Sequence, residues 1–117
     1  MAYVDGFVLP VPTKNIAAYK RIAQKAGKIW REHGALEYRE CVGDDLDTKF
    51  GVPFARTVKA KRGETVLFAW IVYKSRAHRD RVNAKVMKDP RLTLEQNAMP
   101  FDVKRMVYGG FKILVDA

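Results

Sequence analysis

The chain has 117 residues, 48% apolar and 30% charged, with 22 Lys and Arg against 13 Asp and Glu. This fits one folded domain over residues 1–117 and excludes a disordered chain. No apolar run approaches the ~18 residues of a bilayer span, so no membrane association is expected. One cysteine excludes an internal disulfide framework and fits a reducing, cytoplasmic location. The opening residues carry Asp5 and no basic stretch, unlike a secretory leader.

Tyr3 to Val11 is rich in β-branched and aromatic residues and predicts a strand that Pro12 ends. Thr13 is placed to cap a helix in which Ile16, Tyr19, Ile22, Ala23, Ala26, Ile29 and Trp30 recur at helical spacing. Gly34 is its expected left-handed stop. Leu36 to Val42 reads as a second strand, followed by an irregular acidic stretch through Pro53. Phe54 to Lys61 is expected to extend a β ribbon before a turn at Arg62-Gly63-Glu64. Thr65 to Tyr73 is the strongest strand signal. Ser75 caps a second helix, with His78, Val82 and Val86 one turn apart and Met87 beside them, ended by Asp89-Pro90. Residues 91–102 read as loop with a helical turn near Leu94. Lys104 to Val115 is the last strand, and Gly109-Gly110 marks a bulge or a close backbone approach.

The order strand, helix, strand, strand, helix, strand is the ferredoxin-like βαββαβ pattern, an α+β fold with an antiparallel sheet and two helices on one face. Its strands are apolar on both faces. Val66, Phe68, Trp70 and Val72 alternate with Leu67, Ala69, Ile71 and Tyr73, and Val4 and Val8 with Tyr3, Phe7 and Leu9. Two helices cover one face only. The second face is therefore expected to meet a second copy, sheet against sheet, in a homodimer.

The basic excess lies in two segments. Residues 13–33 hold six basic residues against one acid, and residues 75–88 hold five against one. Lys20, Arg21, Lys28, Arg76 and Arg79 are the candidate basic face, although solvated surface helices give the same pattern. Phe68 to Tyr73 loosely fits the aromatic platform of an RNA-recognition strand, but Val66-Leu67 stand where a basic-glycine pair belongs. Nucleic acid is not the expected partner.

No His, Cys, Asp or Glu pair has metal-ligand spacing, and no glycine-rich phosphate loop links a strand to a helix. Neither metal nor cofactor is expected. Asp5 is the telling residue, a charge in an apolar strand that needs a partner, with Arg39, Arg56, Arg105 and Lys59 available. A small-molecule pocket between sheet and helices would take Asp5, His78, Arg105 and Tyr108 as catalytic candidates, with Trp70, Arg39 and Phe68 in its lining. Asp5 or His78 would act as base and Arg105 would stabilise developing negative charge.

Tyr3-Val4-Asp5-Gly6-Phe7-Val8, His33-Gly34-Ala35-Leu36, Val58-Lys59-Ala60, Asp89-Pro90-Arg91, Met99-Pro100-Phe101-Asp102 and the run from Lys104 to Phe111 resemble the YbaA-like family of small bacterial proteins of unknown function. The resemblance covers essentially the whole chain and departs at residues 46–53. It implies the dimeric α+β barrel superfamily, two ferredoxin-like subunits joined through their sheets. Relatives across that superfamily include cofactor-independent monooxygenases, and an enzymatic reading here is of that kind. They share a cavity and no universal catalytic residue, so the fold leaves the chemistry open. The sequence thus supports an uncharacterised dimeric barrel with a small-metabolite pocket, and as the alternative a binding module offering its basic helices to RNA or an acidic partner.

Overall fold

The computed structural model describes residues 1–93 and 100–117. Strand β1 (Tyr3–Pro12) leads into helix α1 (Ile16–Glu32), strand β2 (Glu37–Val42), the short helix α2 (Phe54–Thr57) and strand β3 (Glu64–Tyr73). Helix α3 (Arg76–Met87), the single turn α4 (Pro90–Thr93) and strand β4 (Val107–Lys112) follow. The four strands form one antiparallel sheet in the order β2-β3-β1-β4.

The alternation of β1 and β3 decides the packing. Leu9, Val11 and Leu67 meet Tyr19 of α1, while Tyr3, Ile71 and Tyr73 meet Ile29 of α1 and Val82 and Val86 of α3. Both long helices therefore cover the face that carries the odd-numbered residues of β1 and β3. Burying each large apolar side chain contributes roughly 1.5–3 kcal/mol. The opposite face leaves Phe68 at 42%, Val107 at 45% and Phe111 at 61% exposure. There Phe68 meets the rings of Phe54 and Trp70 edge-to-face, with centroids 6.1 Å and 5.6 Å apart.

Several local expectations need correction. Thr13 does not cap α1; it opens a 3-10 turn (Thr13–Asn15), because its N–H is tied to the Gly63 carbonyl at 2.9 Å. Phe54 to Lys61 forms no ribbon. Both edges of β3 are already taken by β2 and β1. The segment instead closes a helical turn, with the Pro53 carbonyl accepting from Arg56 and Thr57, and Lys59 adopts a left-handed conformation (φ 54°). The last strand is shorter than expected. A 3-10 turn (Val103–Arg105) precedes it, and the Asp102 side chain accepts from the Lys104 N–H at 3.0 Å. The helical turn expected near Leu94 lies outside the described residues.

Other local signals hold. Ser75 Oγ accepts from the His78 N–H at 3.1 Å and caps α3. Gly34 ends α1 with φ 117°. Gly109-Gly110 is a close approach and not a bulge. The β1–β4 register runs unbroken, and a Cβ on Gly110 would collide with the Tyr3 ring.

Candidate functional site

The strand register assembles a floor. On the helix-covered face Glu40, Ala69, Phe7 and Tyr108 form one row across the sheet, and Tyr38, Ile71, Asp5 and Gly110 form the next. Ala69 is small, so the floor dips at its centre. Above it α1 presents Ala23, Ala26 and Trp30, and α3 presents Asn83 and Met87. The space between is a cavity of ≈ 400 Å³, mostly apolar in its lining, to which Phe101 and Met106 also contribute.

Two polar stations break that apolar wall. At the first, Asp5 is 5% exposed and accepts from Arg79 Nη1 at 3.0 Å. The guanidinium carbon of Arg79 lies 4.9 Å from the centroid of the Tyr3 ring, and Nη2 points to the Tyr3 hydroxyl at 3.4 Å. Arg79 Nε lies 2.9 Å from Asp80 Oδ1 but out of line for a hydrogen bond. Asn83 Oδ1 accepts from Tyr73 at 3.2 Å and from Trp30 Nε1 at 3.1 Å. Burial pushes the Asp5 carboxyl above the usual carboxylate range, against the lowering influence of the Arg79 charge and of the nearby Tyr73 and Asn83 side chains.

At the second station Glu40 accepts from two phenols, Tyr19 and Tyr38, one on each carboxylate oxygen, the Tyr38 bond being 2.5 Å long. Burial, reinforced by the Glu40 charge, pushes both phenols above their ordinary range. Glu40 and Asp5 lie two strands apart on the same face, about 10 Å between their strand axes. At one station a guanidinium faces Asp5 and, on its outer side, Asp80; the other is an anion solvated by hydroxyls.

The structure sorts the candidates read from the sequence. Asp5 and Tyr108 line the cavity, and their neighbour Phe7 stacks on Tyr108 with centroids 6.0 Å apart. Trp70, Phe68 and Arg39 do not line it. Trp70 and Phe68 alternate with Ile71 and Ala69 and so point to the opposite face, and Arg39 pairs in register with Trp70. There Glu37 accepts from Trp70 Nε1 at 2.9 Å and from Arg39 Nε at 3.0 Å. Arg105 also stands outside, held by Glu64 at 2.7 Å and Asp102 at 3.0 Å. His78 sits at the start of α3, its Nδ1 accepting from the Lys74 N–H at 2.9 Å. Burial, with Lys74, Arg81 and Lys85 nearby, lowers its pKa.

Arg79 is the largest revision. Assigned to the basic face, it turns inward and partners Asp5, a pairing absent from the four partners read from the sequence. Arg79, Asn83 and Met87 are spaced by four and share one stripe of α3 that faces the cavity. That stripe was the available signal, beside the stripe of Val82 and Val86. Lys20, Arg21, Lys28 and Arg76 remain exposed. Lys20 and Lys28 border a groove between α1 and the β2 edge, with Arg31 and Arg39. Gly27 lets the helix approach there, since a Cβ on it would lie 2.7 Å from the Tyr38 ring.

Residues 2–103 match the family described as Protein of unknown function (DUF1428). The chain belongs to that family. This DUF1428 chain is 45% identical over 116 residues to the uncharacterized protein YbaA of Escherichia coli (strain K12), across 99% of each chain. YbaA of Shigella flexneri matches equally, at 45% identity over 116 residues. The resemblance read from the sequence therefore holds. Among solved structures, Rv0793 from Mycobacterium tuberculosis is similar with a TM-score of 0.62 at 13% identity, over 100% of this chain and 99% of that one. An uncharacterized NIPSNAP domain protein from Burkholderia xenovorans is similar with a TM-score of 0.60 at 15% identity, over 98% and 94%. At such identities the likeness speaks for the α+β fold of the DUF1428 chain and leaves its chemistry open.

Proposed function

We propose that this protein binds a small, largely apolar molecule in the cavity between its sheet and helices α1 and α3. The observation that carries the reading is the walled space of ≈ 400 Å³ with the Asp5–Arg79 pair set into its apolar lining. Convergent polar groups in a concave apolar site are the usual form of a ligand pocket. The basic-surface alternative loses Arg79, which is spent on Asp5, from its candidate face.

We further infer a ferredoxin-like subunit that dimerises through its uncovered sheet face into an α+β barrel. The sheet order and the two long helices on one face support the subunit fold. The exposed Phe68, Val107 and Phe111 support the interface. Its β2 margin carries both signs, Glu37 and Arg39, so a two-fold copy meets apolar surface at the centre and opposite charge at the edge.

The test uses the two tryptophans, of which Trp30 lines the cavity and Trp70 does not. In a Trp70→Phe variant Trp30 is the sole indole. Saturable quenching of it by para-nitrotoluene is expected. Quenching that never saturates, as for random collision, rejects the pocket.

A further inference from the structure

We propose that the cavity receives a small apolar acid, a carboxylic acid or a phenol, whose acidic oxygen pairs with the Arg79 guanidinium while Asp5 holds the proton. This deepens the pocket reading and rests on it. Among the described residues the charged groups in the lining are Asp5, Arg79 and Glu40. Glu40 has a tyrosine hydroxyl on each oxygen and offers a ligand no cation. Arg79 is the cation, and it keeps an Nε hydrogen without a directed partner.

Charge conservation selects the ligand. An anion entering alone would compete with Asp5 for one guanidinium and leave a net negative charge in an apolar wall, which is costly. A proton arriving with it removes the conflict. The ligand O–H bond breaks, its electron pair stays on the ligand oxygen, and an O–H bond forms on Asp5. The wall then carries the same net charge as before. If the ligand arrives already ionised, the proton comes from solvent.

The surroundings suit the exchange. Asp5 is faced by Arg79, Asp80 and Asn83 from α3 and by Tyr73 from β3. Its burial already favours the protonated form, and the Asp80 charge acts in the same direction. A neutral Asp5 can still hydrogen-bond with Asn83 and Tyr73. The guanidinium does not depend on Asp5 alone for its place, because the Tyr3 ring lies beneath it at 4.9 Å. Phe7, Ile71, Trp30 and Met87 offer the ligand's body an apolar berth next to that pair.

The experiment compares para-nitrobenzoate with para-nitrotoluene in the full-length Trp70→Phe protein at mildly alkaline pH. Both are expected to quench Trp30. Only para-nitrobenzoate is expected to take up one proton from a weakly buffered solution for each molecule bound. Asp5→Asn should abolish that uptake while quenching by para-nitrobenzoate persists. Arg79→Met should weaken para-nitrobenzoate by about tenfold or more, the worth of one charge-assisted hydrogen bond, and spare para-nitrotoluene. The proton count in the protein that retains Asp5 stands even if Asp5→Asn does not fold. Para-nitrobenzoate binding without proton uptake, or binding of para-nitrotoluene alone, overturns the acid proposal and leaves the pocket. Quenching by neither overturns the pocket itself.

Discussion

Arg79 Nη1 stands 3.0 Å from Asp5 Oδ1, tying the first turn of α3 to the start of β1 across a sequence separation of 74 residues. The two partners fail differently when one is removed. A carboxyl left alone can take a proton, whereas a guanidinium keeps its charge. Asp5→Leu is therefore expected to cost about 3 kcal/mol and Arg79→Met less, with the double variant recovering much of the loss. Urea denaturation of the three proteins checks this order. Arg79→Met emerging as the more damaging single change would contradict it.

Gly27 marks a close approach of α1 to the sheet. A Cβ there would lie 2.7 Å from Tyr38 Cδ1, and the Tyr38 ring is held by its hydroxyl on Glu40. Alanine gains about 1 kcal/mol of helix propensity, yet forcing the elements apart costs about 1–3 kcal/mol. Gly27→Ala is expected to lower the melting temperature. A rise would show that helix and ring separate freely.

The acid limb of stability should carry the mark of Glu64. Hydrogen bonds from Arg105, ahead of other influences, hold its carboxyl down at about 2 against an ordinary 4.5. The folded protein thus keeps Glu64 ionised where the unfolded chain binds a proton. The stabilisation is complete above pH 4.5 and is lost as pH falls toward 2. Glu64→Gln should cost about 2 kcal/mol at neutral pH and flatten the stability profile within that window. Denaturation midpoints measured across it decide the matter, and an unchanged profile would remove Glu64 from the account. Asp89, lowered by Arg91 first and His33 second, contributes in the same direction.

Phe68 is 42% exposed at the centre of the uncovered sheet face. If that face joins two copies, Phe68→Glu buries a carboxylate of each copy in an apolar interface and should turn a dimer into a monomer. Far-ultraviolet circular dichroism should be retained, since Phe68 lies away from the core under the helices. Sedimentation equilibrium of both proteins is the measurement. A wild-type monomer at micromolar concentration rejects the interface.

Much of this protein was legible in its letters because the signals are local. Period-2 alternation in Thr65 to Tyr73 and helical spacing from Ile16 to Trp30 report which side chains share a face, and the resemblance of the chain to its family reads directly from the residues. The two-faced strands also showed that one sheet face would stay uncovered. Parity alone could have placed Trp70 and Phe68 opposite Asp5 once Asp5 was paired with Ile71, but that register is a contact between distant segments.

Tertiary structure decided the rest. Arg79 reads as one more cation on a basic helix until α3 is rotated against the sheet with Val82 and Val86 inward, which aims Arg79 and Asn83 at Asp5. Phe54 to Lys61 reads as a β ribbon until β3 has β2 and β1 on its two sides. The sequence by itself determined the four strands, the two long helices and the family, because backbone propensity and side-chain period act within a few residues. The site needed the fold, because Coulomb attraction and burial act between residues that only packing brings together.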